Sequence, residues 1–446
     1  MEERITEYLT EKRYADLKEL FCTMEAADIA IMLEELPEEK LPVLFRLLPK
    51  ELAAEVFVEI ESDIQELLIS GFSDNELKEV LEELYVDDAV DIIEEMPANV
   101  VKRILMHSEA DMRNSINEIL KYPKDSAGSI MTVEYVDLKE NMTVQDAFTR
   151  IRRTGVDKET IYTCYVTDPN RKLVGLISVK DLLLAEETDE IKNIMETNII
   201  YANTVDDKEE VARQFGKYDF LAIPVVDNER RLVGIVTVDD AIDVIEEENT
   251  EDIEMMAAII PTDKPYLKSG IIETFTKRIP WLMLLMLSAS LTARIIGHYE
   301  LAFQNYAVLI SFIPMLTGTG GNAGGQTSAS VIRGISLNEI EFSDTLRVIW
   351  KEIRVAAVCG AALSVVLFAK LMIFDRIPLN IAVVVSLAII LGVILAKCVG
   401  CILPLLAKKI GFDPAVMANP LLSTMVDVVT LAVYFKIAVV ILNITI

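Results

Sequence analysis

The abrupt change in charge and hydropathy near residue 260 constrains this chain more than any other feature. Residues 1–260 hold 61 Asp and Glu against 27 Lys and Arg, a net charge of −34, whereas residues 261–446 carry a net charge of +5 and several long apolar runs. An apolar run of about 20 residues can cross roughly 30 Å of hydrocarbon as a helix. The sequence therefore predicts a large acidic soluble region followed by a membrane domain.

Residues 1–125 show the spacing of short amphipathic helices. The segment DIAIMLEELP, which begins at Asp28, recurs in similar form as DAVDIIEEMP from Asp88. In both copies apolar residues return every three or four positions and a proline follows, as at the end of a helix. The pattern predicts an acidic all-α domain built as a helical repeat.

Residues 126–249 contain a different repeat, in which strands alternate with helices. The segment LVGLISVKD from Leu173 recurs as LVGIVTVDD from Leu232, and each copy is predicted as helix, strand, turn, strand, helix. This pattern resembles the tandem CBS domain, an α/β module, and the resemblance covers both copies. It implies a site for a small ligand, often an adenine nucleotide.

Each copy also holds a Ser/Thr-x-x-Asp motif, formed by Ser178 and Asp181 in the first copy and by Thr237 and Asp240 in the second. Many CBS pairs use this motif to bind the ribose of a nucleotide, so the resemblance makes these residues a possible ATP site. The same short motif is equally typical of a helix N-cap. From the sequence, both interpretations stay open.

A connector helix rich in acid is predicted over residues 244–275, followed by an all-α membrane domain over residues 276–446. Five transmembrane helices are expected in that domain, at 279–299, 304–333, 352–374, 379–405 and 416–443. The multidomain chain thus combines three fold classes: a helical domain, an α/β pair and a five-helix membrane domain.

Lysine and arginine lie mainly before the first span, between the second and third, and between the fourth and fifth. The positive-inside rule then places the N-terminus and residues 1–275 in the cytoplasm and the C-terminus outside. Met1-Glu2-Glu3-Arg4 lacks the apolar core of a signal peptide, which agrees with a cytoplasmic soluble region. We expect a multi-pass protein of the cell (inner) membrane.

Asp427 lies deep in the fifth predicted span, and no basic residue is near it in that span. A carboxylate at this depth is costly in hydrocarbon, so it must face protein, water or a cation. The residue therefore predicts a path for positive ions.

The second predicted span contains a glycine-rich run from Gly318 to Thr327. Small residues allow helices to pack closely, which is one interpretation of the run. The other is a pore lining, because Asn322 and Gln326 lie at i and i+4 and offer amide oxygens on one helical face.

The order of helical domain, CBS pair, acidic connector and five spans resembles the MgtE family of magnesium transporters over essentially the whole chain. The last-span motifs are Asp413-Pro414-Ala415, Asn419-Pro420 and Asp427, and the second-span motif is Gly320-Gly321-Asn322. The resemblance implies a homodimer in the lipid bilayer that takes up Mg²⁺. Its candidate transport-site residues are Asp427, Asn322, Asp413 and Asn419, with Asp413 at the cytosolic mouth because it lies ~21 Å from Asp427 along a straight helix.

The resemblance also implies regulatory Mg²⁺ at the interfaces of the soluble domains. The carboxylates that it implicates are Glu55, Asp87, Asp91, Asp207, Asp219, Asp240, Asp243, Glu248, Glu251 and Asp252. Domains of such high negative charge repel one another unless cations intervene. We therefore expect high cytosolic Mg²⁺ to hold these domains together and close the pore.

Two other functions stay open. The same fold could transport Mn²⁺ or Co²⁺, since Mn²⁺ also accepts oxygen ligands, or it could serve as a nucleotide- or ion-sensing receptor that moves no ion. An enzyme is not expected, because no nucleophile and base are visible and His107 and His298 are too few and too scattered for a zinc site. Cys398 and Cys401 form C-x-x-C inside an apolar span, where packing is the expected role. No nucleic-acid partner is expected.

Overall fold

The computed structural model describes residues 2–262, 266–267, 269–300, 304–417 and 419–444. Within these ranges it describes the side chains of all residues except 2–4, 6, 157, 300, 304–305, 417 and 419. The chain divides into two compact units, Met1–Glu246 and Glu247–Ile446.

Short helices occupy the first part of the first unit. They are α1 (Glu2–Thr10), α2 (Tyr14–Phe21), α3 (Ala26–Glu34), α4 (Leu41–Phe45), α5 (Lys50–Glu59), α6 (Ser62–Gly71), α7 (Asp74–Leu81), α8 (Val86–Glu95), α9 (Ala98–His107) and α10 (Ala110–Ile119). The repeat predicted from the sequence corresponds to α3 and α8. Helix α3 packs on α5, α5 on α7 and α7 on α9, as expected for a stack of helices.

The interior of this helical region is apolar and partly aromatic. The rings of Phe45, Phe57 and Phe72 lie with their centroids 5.3 to 6.3 Å apart, within the range of favourable aromatic pairs. The same buried core continues into the second α/β copy, where it includes Val211 and Ile223. The helical region and that copy therefore share one hydrophobic core.

The α/β region consists of two copies with the same topology. The first copy contains β1 (Asp137–Lys139), α11 (Val144–Thr154), β2 (Thr163–Thr167), β3 (Leu173–Ser178), α12 (Val179–Leu184) and α13 (Ile191–Ile194). The second contains β4 (Ala202–Asn203), α14 (Lys208–Tyr218), β5 (Ala222–Val226), β6 (Leu232–Thr237) and α15 (Val238–Met256). In each sheet the first strand is parallel to the second and the second antiparallel to the third.

The repeated glycines of the two copies mark places where another segment crosses the sheet. Thr132 pairs with Ile235, and Glu196 pairs with Leu176 at the matching position of the first copy. A Cβ on Gly234 would come within 2.7 Å of the Thr132 carbonyl oxygen, and one on Gly175 within 2.3 Å of the Met195 sulfur. Only glycine allows so close a crossing.

The second unit is helical. Besides the second half of α15, it contains α16 (Ile271–Glu300), α17 (Ile313–Ser336), α18 (Thr345–Ile373), α19 (Leu379–Lys409) and α20 (Asn419–Leu442), with 3-10 segments at Gln304–Phe312 and Pro414–Met417. Helix α19 packs against α17, α18 and α20. The buried core of the second unit consists mainly of small and aliphatic side chains, together with Phe312, Tyr434 and Phe435.

The predicted count of five transmembrane helices is not confirmed. Within the described residues, four helical segments are long and apolar enough to cross a membrane: Ile271–Tyr299, Phe342–Ile373, Leu379–Lys409 and Pro420–Leu442. The remaining predicted span corresponds largely to α17, a helix of 24 residues. Its glycine, serine, threonine and amide residues lower its mean hydropathy. Helix α17 is therefore not among the four apolar segments, although it is long enough to cross a bilayer.

Candidate functional site

Six carboxylates gather where the first turn of α8 meets the α/β copies. Asp87 and Asp88 lie in the first turn of α8, and Asp239 and Asp240 lie in the first turn of α15. The helix dipole favours acidic side chains at both positions. Two further acids are joined through the backbone, since the Glu159 N–H donates to the Glu134 carbonyl at 3.0 Å. We call this set the acid cluster: Asp87, Asp88, Glu134, Glu159, Asp239 and Asp240.

Asp87 is the most deeply placed member of the acid cluster. Asp87 is only 6% exposed, and its Oδ1 has no hydrogen-bond partner among the described residues. The Oε2 atom of Glu159 is also buried without a described partner. An ionised carboxylate in such a place is costly unless a proton or a cation neutralises it.

The pKa values of the acid cluster reflect this cost. Burial, with a contribution from Asp240, raises the pKa of Asp87 well above its usual range. Burial raises the pKa of Asp88 to about 6, that of Asp240 to about 7 and that of Glu159 to about 8, and neighbouring carboxylates add to each shift. These groups therefore cannot all ionise near neutral pH while they remain packed together.

The chemistry of the acid cluster suits a hard divalent cation. Mg²⁺ takes oxygen ligands and keeps several waters, so one or two carboxylates are enough to hold it. Across the described parts of the chain, no three His, Cys, Asp or Glu side chains are arranged to hold a metal by themselves. The cluster thus offers charge and a few oxygens rather than a complete protein cage.

Only part of the acid cluster could be anticipated from the sequence. Of the predicted regulatory residues, Asp87 and Asp240 meet here. Asp88 and Asp239 adjoin them in the sequence, which is a signal that could have been used. Glu134 and Glu159 carry no local signal, because only the tertiary packing of the first α/β copy brings them to α8.

The other predicted regulatory carboxylates occupy separate positions. Asp207 is the N-cap of α14, where it accepts hydrogen bonds from Glu209 N–H at 2.9 Å and Glu210 N–H at 3.3 Å, and Asp219 ends that helix with a φ of 55°. These two residues therefore have structural roles as helix caps. The remaining acids lie on helix surfaces: Glu55 on α5, Asp91 on α8, and Asp243, Glu248, Glu251 and Asp252 on α15.

The two Ser/Thr-x-x-Asp motifs lie at the starts of helices but differ in their surroundings. The Ser178 hydroxyl accepts from the Asp181 N–H at 3.1 Å and donates to the Asp181 carboxylate at 2.6 Å, and Thr237 donates to Asp240 in the same way. Asp181 is exposed, whereas Asp240 belongs to the acid cluster. A nucleotide phosphate would be repelled by that cluster, so only the first motif is electrostatically open to a nucleotide.

In the second unit, α17 crosses α20 at the level of Asp427. A Cβ on Gly320 would lie 3.0 Å from Val426, and a Cβ on Gly324 would lie 3.3 Å from the same side chain. These glycines make the close packing that one interpretation of the glycine run predicted. Asp427 follows Val426 directly and is partly exposed.

The other predicted transport-site residues lie on α17 or near the start of α20. Asn322 and Gln326 are both on the exposed face of α17. Asp413 accepts a hydrogen bond from the Ala415 N–H at 2.7 Å, which fixes the turn that precedes α20. The side chain of Asn419 lies outside the described residues.

A buried ionic network joins three helices of the second unit, and the sequence interpretation missed it. The Lys397 ammonium of α19 donates to the Thr327 hydroxyl at 2.9 Å and to the Glu352 carboxylate at 3.1 Å. The Thr327 hydroxyl donates to the same carboxylate at 2.9 Å. We call these three residues the lysine triad. A lysine inside an apolar span is a visible signal, but its partners on α17 and α18 are not.

Comparisons with known families cover most of the chain. The model for the MgtE intracellular N domain matches residues 24–125, the CBS domain model matches residues 127–187 and 191–247, and the MgtE model, described as a divalent cation transporter, matches residues 313–437. The two α/β copies are therefore a CBS pair.

Individual relatives agree with the family matches. The magnesium transporter MgtE of Thermus thermophilus is 36% identical over 446 residues and covers 98% of both chains. The magnesium transporter MgtE of Bacillus subtilis is 32% identical over 435 residues, 98% of this chain and 96% of the relative. Both relatives are named as transporters, not as enzymes.

Solved structures match just over half of the chain. The cytosolic domain of the Mg²⁺ channel MgtE in complex with ATP aligns with a TM-score of 0.53 and 37% identity, over 55% of this chain and 100% of that one. The soluble part of a magnesium transporter aligns with a TM-score of 0.52 and 32% identity, over 55% of this chain and 97% of that one. Together with the full-length relatives, these matches show that the chain belongs to the MgtE family of magnesium transporters.

Proposed function

We propose that this chain is a Mg²⁺ uptake channel or transporter of the cell (inner) membrane, that it works as a homodimer, and that cytosolic Mg²⁺ closes it. Its working parts are the acidic helical domain (1–125), the CBS pair (126–249), the connector helix (244–275) and the membrane domain (276–446). The N-terminus and residues 1–275 are cytoplasmic, and the C-terminus is outside.

The proposed pore runs between α17 and α20 and has Asp427 as its ion site. Helix α17, with 24 residues, is ~36 Å long and can span the bilayer as a fifth transmembrane helix in spite of its modest hydropathy. Exposed amides such as Asn322 and Gln326 are unfavourable against lipid. A second copy of the chain, or the water of a pore, would cover them and bring two Asp427 carboxylates together.

The pore proposal is tested by ion flux into proteoliposomes that contain the purified full-length chain. Asp427→Asn should abolish nearly all Mg²⁺ flux while Asp427→Glu retains part of it. Asp375→Asn is the control, because Asp375 pairs with Lys370 near the C-terminal end of α18, away from the proposed ion site on α20. Full Mg²⁺ flux through Asp427→Asn would refute the pore proposal. Flux of Mn²⁺ or Co²⁺ that exceeds Mg²⁺ flux would favour the alternative cargo.

The proposed gate depends on one observation, the unpartnered buried carboxylate of Asp87 among the other acids of the cluster. Without a divalent cation the cluster repels α8 from the CBS pair, and Mg²⁺ stabilises the packed arrangement. The equilibrium between the two states then follows cytosolic Mg²⁺. Glu248, Glu251 and Asp252 on the connector helix are proposed to bind further regulatory Mg²⁺.

The gate is tested by the ratio of flux at low to flux at high cytosolic Mg²⁺. We expect Asp87→Asn and Asp240→Asn each to reduce this ratio by about tenfold, a typical coupling magnitude. Asp28→Asn is a matched control, because Asp28 occupies the position on α3 that Asp88 occupies on α8 but remains exposed. A ratio that stays at the wild-type value in both cluster variants would overturn the gate.

ATP is proposed to bind the CBS pair at Ser178 and Asp181. Two observations support this choice: Asp181 is exposed, and the cytosolic domain of a relative forms a complex with ATP. ATP affinity measured by calorimetry should fall in Asp181→Asn. An unchanged affinity would place ATP elsewhere.

A further inference from the structure

A basic cavity lies in the first CBS copy, with Leu232 of the second copy also in its wall. Its volume is about 390 Å³, and its wall includes Arg150, Lys158, Arg171, Tyr135, Thr167 and Asp137. Cavities of this size hold small ligands in many proteins. We call it the basic cavity.

Its charge is positive in a region of the chain that is otherwise strongly negative. Asp137 is engaged, since its carboxylate pairs with Arg150 and lies 3.5 Å from the Lys139 ammonium. In the described part of the chain, no carboxylate forms an ion pair with Lys158 or Arg171. Two cations of the basic cavity therefore remain available for an anionic ligand.

In two segments of the chain, one residue lines the basic cavity and its sequence neighbour belongs to the acid cluster. Tyr135 lines the basic cavity, and its neighbour Glu134 belongs to the acid cluster. Likewise, Lys158 lines the basic cavity and Glu159 belongs to the acid cluster. Neighbouring residues of these two segments thus contribute to different sites, one to the basic cavity and the other to the acid cluster.

The backbone of Arg171 is held in a well-defined turn. It has a φ of 66° in a turn where the Asp168 carboxylate accepts from the N–H groups of Asn170 and Lys172, both at 2.8 Å. The Arg171 carbonyl accepts from the Leu232 N–H at 3.0 Å, which ties the turn to the second copy. The guanidinium itself donates to the Leu232 carbonyl at 3.5 Å, which restrains it in part and leaves its other N–H groups for a ligand.

The basic cavity is distinct from the Ser178 and Asp181 motif. In the β2–β3 hairpin, Thr163 pairs with Ser178 at one end, and Thr167 pairs with Leu173 at the other. Four residue steps along a strand span about 13 Å. The cavity is at the turn end of the hairpin, so a ligand there would leave the motif free.

We infer that the basic cavity binds a small phosphate-bearing anion through Arg171 and Lys158. Guanidinium groups match phosphate oxygens in pairs, and ammonium groups supply further charge. The Tyr135 ring and the Thr154 and Thr167 hydroxyls of the wall suit an organic phosphate, such as a nucleoside monophosphate, as well as inorganic phosphate. The inference stands without the proposed transport function.

Calorimetric titration of the full-length chain in detergent tests this site, with inorganic phosphate and AMP as separate probes. Wild type should bind at least one probe saturably, and a higher affinity for AMP would identify an organic phosphate as the preferred class. The double variant Lys158→Gln/Arg171→Gln should lose at least tenfold in affinity. The matched control is Arg230→Gln, since Arg230 has the same turn position and a φ of 67° in the second copy, outside the cavity.

Three outcomes would overturn the inference. The first is no saturable binding of either probe to wild type. The second is an equal loss of affinity in Arg230→Gln. The third is binding that disappears in Asp181→Asn and persists in the double variant, because the anion would then occupy the Ser178 motif.

Discussion

The acid cluster and the lysine triad are two solutions to the same problem, the burial of charge. In the lysine triad, Glu352 is paired with Lys397 and both contact the Thr327 hydroxyl. In the acid cluster, six carboxylates meet and Asp87 has an oxygen without a described partner. The triad carries its own counter-charge, whereas the cluster must take one from solution. The stability of the acid cluster therefore depends on pH and on the concentration of divalent cations, whereas that of the lysine triad does not.

The largest effect is expected when the lysine triad loses its cation. Lys397→Met leaves the Glu352 carboxylate buried without a counter-charge, which should cost about 3–5 kcal/mol of stability. The measurement is the unfolding of the purified chain in detergent. The double variant Lys397→Met/Glu352→Met should recover most of the loss.

Lys370→Met is the control for that experiment. Lys370 pairs with Asp375 at 2.8 Å, but their side chains are 56% and 35% exposed. Such a surface pair contributes roughly 0–1 kcal/mol. Equal losses in Lys397→Met and Lys370→Met would remove the distinction between buried and exposed pairs.

A smaller effect is expected when pH changes the charge of the acid cluster. The folded pKa values of about 6 for Asp88, 7 for Asp240 and 8 for Glu159 lie above their ordinary values of 3.8, 3.8 and 4.5. Between about pH 4 and pH 8 the folded chain thus holds more protons than the unfolded chain. The free energy of unfolding should fall as pH rises through this window, by about 2 kcal/mol between pH 7 and pH 8.5 in EDTA.

Excess Mg²⁺ should flatten this pH dependence, because the cation replaces the lost protons. The double variant Asp87→Asn/Asp240→Asn should flatten it even in EDTA. Thermal unfolding of the full-length chain, monitored by circular dichroism, measures the effect of Mg²⁺ and the effect of the double variant. A chain that becomes more stable between pH 7 and pH 8.5 in EDTA would show that these carboxylates are not the dominant titrating groups.

The smallest effect is expected from the neutral member of the lysine triad. Thr327→Val removes one hydroxyl that both accepts from Lys397 and donates to Glu352, at a cost of about 1 kcal/mol. Thr317→Val on the same helix is the control, because the Thr317 hydroxyl bonds only to backbone carbonyls of its own helix among the described residues. Unfolding temperatures that do not differ between the two variants would show that the pair of charges is sufficient without the hydroxyl.

Repeats and periodicity predicted the fold of the first unit well. The offset between Leu173 and Leu232 predicted the matching strands β3 and β6, and a register shift recurs at Val166/Thr167 and Val225/Val226. Such features are local, because alternation and turn residues determine them. The count of five spans stays unconfirmed at α17, whose small and polar residues allow close helix packing but lower its mean hydropathy.

The candidate site was predicted only in part, since it depends on long-range packing. Asp87 and Asp240 came from the family resemblance, but nothing in the sequence indicates that Glu159 joins them. Asp207 and Asp219 were predicted as metal ligands, and the structure gives them roles at the ends of α14 that their residue types also explain. Lys397 was visible in the sequence, but its partners were not.

The contact between Gly324 and Gly400 has a mechanical consequence. A Cβ on Gly400 would lie 2.4 Å from the Gly324 carbonyl oxygen, so α17 and α19 touch backbone to backbone. About one turn away, the Lys397 ammonium also donates to the Thr327 hydroxyl across the same two helices. Any opening movement of the helix that bears Asn322 should therefore take its neighbour along as one rigid body, with sliding confined to surfaces elsewhere.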